Sequence, residues 1–284
     1  MTAPRRAIVD LFRPWLDDEG YTPPRLVAFD GLCERLGIPA NDTAPPARTE
    51  PQPSPPRRPT ELAEPGAFFA HLRSSGLFPK VRGIQLSGSQ VEGINAKLTA
   101  FGKACWPIAF AACGFATSYW ETGRAMAPVR EKGSGDGADA DPWDDYLERY
   151  DTGRLAARLG NTPEADGDGV RLAGAGDVQL TGADNYRRAT RELRARGIIG
   201  PDVDLHANPE LVLRPDISAA IMVLGMEGGW FTGRKLSDAL PAVGPARLDQ
   251  FIRSRPIING TDKATDIARI AVTFQTGLQA GRWS

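Results

Sequence analysis

Residues 104–131 read ACWPIAFAACGFATSYWETGRAMAPVRE. From Ile108 onward the run is apolar around almost its whole circumference, and a single carboxylate, Glu121, appears at its end just before Gly123. A helix that is hydrophobic on every side belongs inside a folded domain. The run contains Pro107 and falls short of a membrane span, so a buried core helix over 105–122 is expected.

A carboxyl at the end of such a helix is unusual, because acidic side chains are seldom buried without a partner. Flanked by Tyr119 and Trp120, and placed at the negative end of the helix dipole, Glu121 has an environment that favours its protonated form, as a general acid requires. The ordinary reading of a glutamate at a helix terminus is a solvated surface group. Against that reading stands Glu131, ten residues on and beyond a turn broken by Pro128, which puts a second carboxylate on a loop able to fold back toward the first. Two carboxyls of unlike environment are the minimum equipment for cutting a glycosidic bond.

Outward from this segment the chain reads as helix after helix, with 3.6-residue apolar periodicity over 67–74, 88–101, 143–157, 182–195, 215–227, 246–254 and 262–279. A Ser cap precedes the helix at 88. Strand-like alternation is scarce apart from a short hairpin expected near 170–179. The fold class expected is mostly α. Residues 41–65 (NDTAPPARTEPQPSPPRRPTELAEP) are dense in proline and without periodicity, the composition of a semi-extended linker. They separate a small N-terminal segment, residues 1–40 with two helices over 5–17 and 25–36, from a main domain at 66–284. The piece YTPPRLVAFDGLCERLG in that segment is loosely like QLSGSQVEGINAKLTAFG at 85–102, which fits either a duplication or a shared capped-helix pattern; a duplication would suit a small docking or wall-binding module.

Composition narrows the function. The 284 residues are 41% hydrophobic and 24% charged with a formal net charge of −1. These are ordinary globular values, and such a balance offers no field to gather phosphate backbones or anionic lipids, so nucleic-acid binding and stable membrane insertion are not expected. Cys33, Cys105 and Cys113 have neither a disulfide framework nor metal-site spacing and read as small buried apolar residues. His71 and His206 stand far apart without zinc-site partners, the acidic residues Asp136, Asp139, Asp141, Asp144 and Asp145 lack calcium-loop spacing, and the glycine-rich piece GAG at 174–176 lacks the context of a phosphate loop. No metal and no cofactor is expected. The N-terminus has no apolar run of signal-peptide type, so synthesis in the cytoplasm is the expectation.

Five runs taken in order carry a resemblance: FATSYWETGRAMAPVREKG at 115–133, LGNTPEADGDG at 159–169, GAGDVQLTGADNY at 174–186, NPELVLRPDISAAIMVLGMEGGWFTGRKL at 208–236 and IINGTDKATDIARIAVTF at 257–274. Together they resemble the phage endolysins related to chitinases of glycoside hydrolase family nineteen, over roughly residues 66–280. The combination of ETxxxMxPVxE, GxGxxQLTGxxNY and INGxD is specific where each alone is weak.

The resemblance implies a lysozyme-like, two-lobed helical domain with a short hairpin, and an inverting glycosidase acting on β-1,4 bonds of peptidoglycan glycan strands, or of chitin. It implies Glu121 as general acid, Glu131 as the base that activates water, and Thr181 as the hydroxyl that helps hold that water. Gln179, Asn185 and Asn259 match substrate-contacting amides, and Tyr186 or Tyr119 would supply a stacking face for sugar. Without the resemblance, Gln179, Thr181, Asn185 and Tyr186 read as turn and helix-cap residues, with Thr181 capping the helix that follows. A protein of this kind lacking a signal peptide would reach the wall through a holin or as part of a phage particle. Two departures from the pattern are Trp120, where the family has His, and the 172–176 stretch Leu-Ala-Gly-Ala-Gly, which lacks the family's Arg at Ala175. Loss of that fork-shaped donor opens a further reading: a glycan-binding or particle component with a retired active site.

Overall fold

The structure is a computed structural model that describes residues 59–81, 83–131, 147 and 149–284. The expected N-terminal helices, most of the linker, Cys33, the acidic stretch 136–145 and residues 143–146 and 148 of the 143–157 helix lie outside the described residues.

The described part is built from helices: α1 (Pro65–Ser74), α2 (Gly88–Lys103), α3 (Ile108–Glu121), α4 (Gly153–Leu159), α5 (Asp168–Arg171), α6 (Ala183–Ala195), α7 (Pro215–Gly228), α8 (Leu248–Ser254) and α9 (Ala264–Ala280). The ladder among the described residues is a two-stranded antiparallel pair, β1 (Val129–Arg130) with β2 (Ala175–Gly176), in the register Val129 opposite Gly176 and Arg130 opposite Ala175. The mostly α expectation therefore describes this chain.

The all-apolar α3 is buried along nearly its whole length and packs chiefly against α9, which also covers α1 and α8, while α2 packs on α7. Aromatic rings fill the seam: Phe115 stacks on Phe274 at 5.1 Å between ring centres, and Phe101 stacks on Trp106 at 4.4 Å. Such pairs add about 0.5–1.5 kcal/mol each beyond their buried area. The N-terminus of α2 carries the expected serine cap as a reciprocal box, with Ser87 Oγ accepting from Gln90 N–H and the Gln90 side chain accepting from Ser87 N–H.

Three local expectations are corrected. The core helix starts at Ile108 rather than 105, because Pro107 cannot donate inside a helix and Cys105 takes a positive φ of 53°. The hairpin expected near 170–179 is shorter and shifted: 168–171 are helical, Ala175 and Leu180 exchange both main-chain hydrogen bonds across a tight turn, and β2 pairs in addition with Val129–Arg130 far back in the chain. The continuous helix expected over 143–157 is interrupted by a turn at 149–152, and α4 begins only at Gly153, whose φ of 74° no other residue type adopts readily. Residues 61–64, at the tail of the expected linker, are paired with the C-terminal end. Leu62 bridges Trp283, and Glu61 exchanges both main-chain hydrogen bonds with Ser284.

Candidate active site

Glu121 ends α3, and its side chain retains 15% of its surface exposure. It is not the lone charge that the sequence suggests. The guanidinium of Arg255, itself 7% exposed, donates through Nη1 to Glu121 Oε1 at 2.8 Å. Arg255 opens the short turn Arg255–Ile257, and its Nε also donates to the Asp262 carbonyl at 3.3 Å. The INGTD loop is thereby wrapped around the arginine that holds the glutamate. Asn259, in the same loop, is exposed, and its side-chain oxygen accepts from Gly260 N–H.

Glu131 follows β1, and its two oxygens are held separately. Oε2 accepts from Gly174 N–H at 3.0 Å, and Oε1 accepts from the Tyr150 hydroxyl at 3.2 Å. Gln179 lies on the other side of the same glycine. Its Nε2 donates to the carbonyls of Gly176 and Val129, and its own φ of 52° turns the backbone sharply. A Cβ added at Gly174 would stand 2.8 Å from both Gln179 Oε1 and Glu131 Oε2. The sequence-expected pair Glu131 and Gln179 is thus brought together on the bare backbone of Gly174.

The Thr181 hydroxyl donates to the Gln179 carbonyl at 2.9 Å, and the Asn185 amide donates to the Thr181 carbonyl at 2.8 Å. Thr181 does not cap the helix behind it. The first N–H of α6, at Ala183, is taken by Asn161 Oδ1, while Asn161 Nδ2 donates to the Tyr150 carbonyl. Asn161 therefore ties the α6 terminus to the residue that touches Glu131.

Both aromatic stacking residues are corrections. Tyr186 is fully buried with its hydroxyl donating to the Ala173 carbonyl, and burial pushes its phenol well above the ordinary tyrosine range. Tyr119 is 6% exposed, packs edge-on against Phe78 and donates to the Leu77 carbonyl; burial raises its phenol too. Neither ring is free to meet a sugar. The large aromatic surface next to Glu121 belongs to Trp120, which is 36% exposed.

The LGNTPEADGDG run folds around Asp151, whose two oxygens accept from Gly167 and Gly169 N–H. Asp151, Asp166 and Asp168 each bring an oxygen within 4.8 Å of the others. Asp166 and Asp168 are also engaged by loop N–H and hydroxyl donors.

Several functional-looking residues carry no motif. Arg255 and Tyr150 are common residue types in unremarkable runs, Asn161 lies in the LGNTPEADGDG run without being singled out there, and Lys97, a cation in the apolar stretch INAKLTAFG, leaves a signal in the sequence. Lys97 is 1% exposed and meets Asp177 Oδ1 at 2.6 Å.

No protein-family model matches the chain. Among solved structures the chain is similar to the crystal structure of chitinase C from Streptomyces griseus HUT6037, at 17% identity over 78% of this chain and 77% of that one, with a TM-score of 0.45. It is similar also to a chitinase C mutant, at 16% identity with the same coverage and TM-score.

Proposed function

We propose that this chain is a lysozyme-like glycoside hydrolase that cuts β-1,4 bonds in the glycan strands of bacterial peptidoglycan, with inversion at the anomeric carbon. Glu121 is the acid that protonates the leaving oxygen, and Glu131 is the base that activates water on the opposite face. One observation carries the reading most of the way: two glutamates predicted from motif spacing occupy unlike settings. One is on a buried helix end beside an arginine, and the other is on a loop, held by a backbone N–H and a phenol. Unlike surroundings are how one site runs acid and base chemistry together.

The remaining matches fit sugar recognition. Gln179, Asn185 and Asn259 supply amides, Thr181 supplies a hydroxyl oxygen, and Trp120 exposes an apolar face beside the acid. Such groups both donate and accept, as hydroxyl-rich ligands demand. The family pattern in the motifs supports peptidoglycan over chitin, and delivery to the wall by a holin or a phage particle. Among the described residues no helix is long and apolar enough to cross a membrane.

The test is hydrolysis of purified sacculi and of chitin oligosaccharides side by side, following new reducing ends and their initial anomer by NMR. Inverted product from sacculi is expected. Cutting of chitin oligosaccharides alone would replace the substrate, and retained configuration would remove Glu131 as the base.

A further inference from the structure

Burying an ion pair costs more desolvation than it commonly returns, and apolar residues of similar volume serve a core as well or better. Lys97 and Asp177 are nonetheless 1% and 0% exposed, with Lys97 Nζ 2.6 Å from Asp177 Oδ1. Their contacts are aimed at the segments that bear the candidate site.

Lys97 spends its ammonium on three acceptors: the Gly93 carbonyl in its own helix at 3.2 Å, the Met126 carbonyl at 2.9 Å, and Asp177. Met126 lies on the connection from Glu121 to Glu131. That connection sits so tightly on α2 that a Cβ at Gly93 would be 1.9 Å from the Met126 oxygen. Asp177 lies on the loop between Gly174 and Thr181. Its Oδ1 also accepts from the Ser118 hydroxyl at 2.6 Å, one helical turn before Glu121 on α3. Its Oδ2 accepts from Ser218 on α7 at 2.7 Å, and Ser218 Oγ in turn accepts from Asp177 N–H at 2.8 Å. Burial lowers the Lys97 ammonium from its ordinary range, against the pull of Asp177.

We propose that the Lys97–Asp177 pair, with Ser118, is a positioning clamp for the candidate site, fixing the Glu121–Glu131 connection and the Gln179 loop against the last turn of α3. Its part in catalysis rests on the hydrolase reading; its part in holding the two loops does not. Lys97, Asp177 and Ser118 act through Glu121, Glu131 and Gln179 and touch no substrate. The pair is the point where both loops and the acid-bearing helix meet, which explains charged groups in a core that apolar ones would otherwise fill.

The test uses the full chain and two variants, Ser118→Ala and Asp177→Asn, measuring reducing-end release from sacculi and amide hydrogen exchange together. Ser118→Ala removes only the tie from Asp177 to α3. Its kcat is expected to fall about tenfold, since an ångström-scale misplacement already costs that much or more, with KM changed less than about twofold and faster exchange confined to residues 174–181. Asp177→Asn should loosen 122–131 as well. Unchanged exchange in both folded variants overturns the clamp, and locally faster exchange with wild-type kcat overturns its positioning role. Wild type that cuts no wall glycan, together with the local exchange changes in the two variants, sinks the hydrolase reading and leaves the clamp standing.

Discussion

Arg255 holds Glu121 across 134 residues of sequence, with Nη1 donating to Oε1 at 2.8 Å in a pair that keeps only 7% and 15% of its side-chain exposure. The arginine balances the charge of the carboxylate and ties the INGTD loop to it through the Asp262 carbonyl. Replacing Arg255 with Met leaves the carboxylate without its charged partner. A hydrogen bond to a charged group contributes about 2 kcal/mol, so for a unit of this size the thermal midpoint should fall by about 4–8 °C. Reducing-end release from sacculi should fall as well. Differential scanning calorimetry and the activity assay read the two effects separately.

Gly174 separates Glu131 from Gln179, and a methyl there would press on the mobile ends of both side chains. Gly174→Ala is expected to leave the protein folded, within about 1 kcal/mol of wild type because flexible side-chain ends can shift. It should cut kcat about tenfold by displacing Glu131, the base of the proposed reaction. Equal kcat in the two proteins would show that the Glu131 placement does not matter.

Tyr186 is interior, so Tyr186→Phe should leave KM for glycan fragments unchanged. It loses one buried hydrogen bond to the Ala173 carbonyl, worth about 1 kcal/mol. A raised KM without loss of stability would return Tyr186 to the substrate.

The core helix and the mostly α class were legible in the sequence because they are written locally, in an all-apolar periodicity. What was not legible is long-range. Arg255 reaches Glu121, Asn161 caps α6 and Asp177 receives Ser118, Ser218 and Lys97 only once distant segments have packed. Tyr119 and Tyr186 misled for the same reason: a motif places a ring in the chain but does not say which side of the helix faces the core. The hairpin expected over 170–179 closes over 175–180 instead, because a short apolar alternation looks alike whether it continues as strand or as the turn of helix seen at 168–171.

Burial pushes the Cys113 thiol up to about 11 from its ordinary 9.0. The native protein therefore keeps this proton where the unfolded chain loses it. The resulting stability is fully present below pH 9 and is lost as pH rises toward 11. Two pH units correspond to roughly 3 kcal/mol. Lys97, lowered by burial, contributes with the opposite sign, so the informative quantity is the difference between wild type and Cys113→Ala in urea unfolding from pH 8 to 11. The variant should lose less stability than wild type over that range; parallel curves would show that the thiol does not titrate as its burial requires.

In the proposed reaction Glu121 delivers the proton that breaks the glycosidic bond. Purified sacculi digested by wild type and by Glu121→Gln, with reducing ends counted over time, address it directly. General-acid catalysis contributes about 10²–10⁴-fold, so a loss within that range is predicted, with the variant still folded by circular dichroism. Equal release of reducing ends by the two proteins would contradict the account.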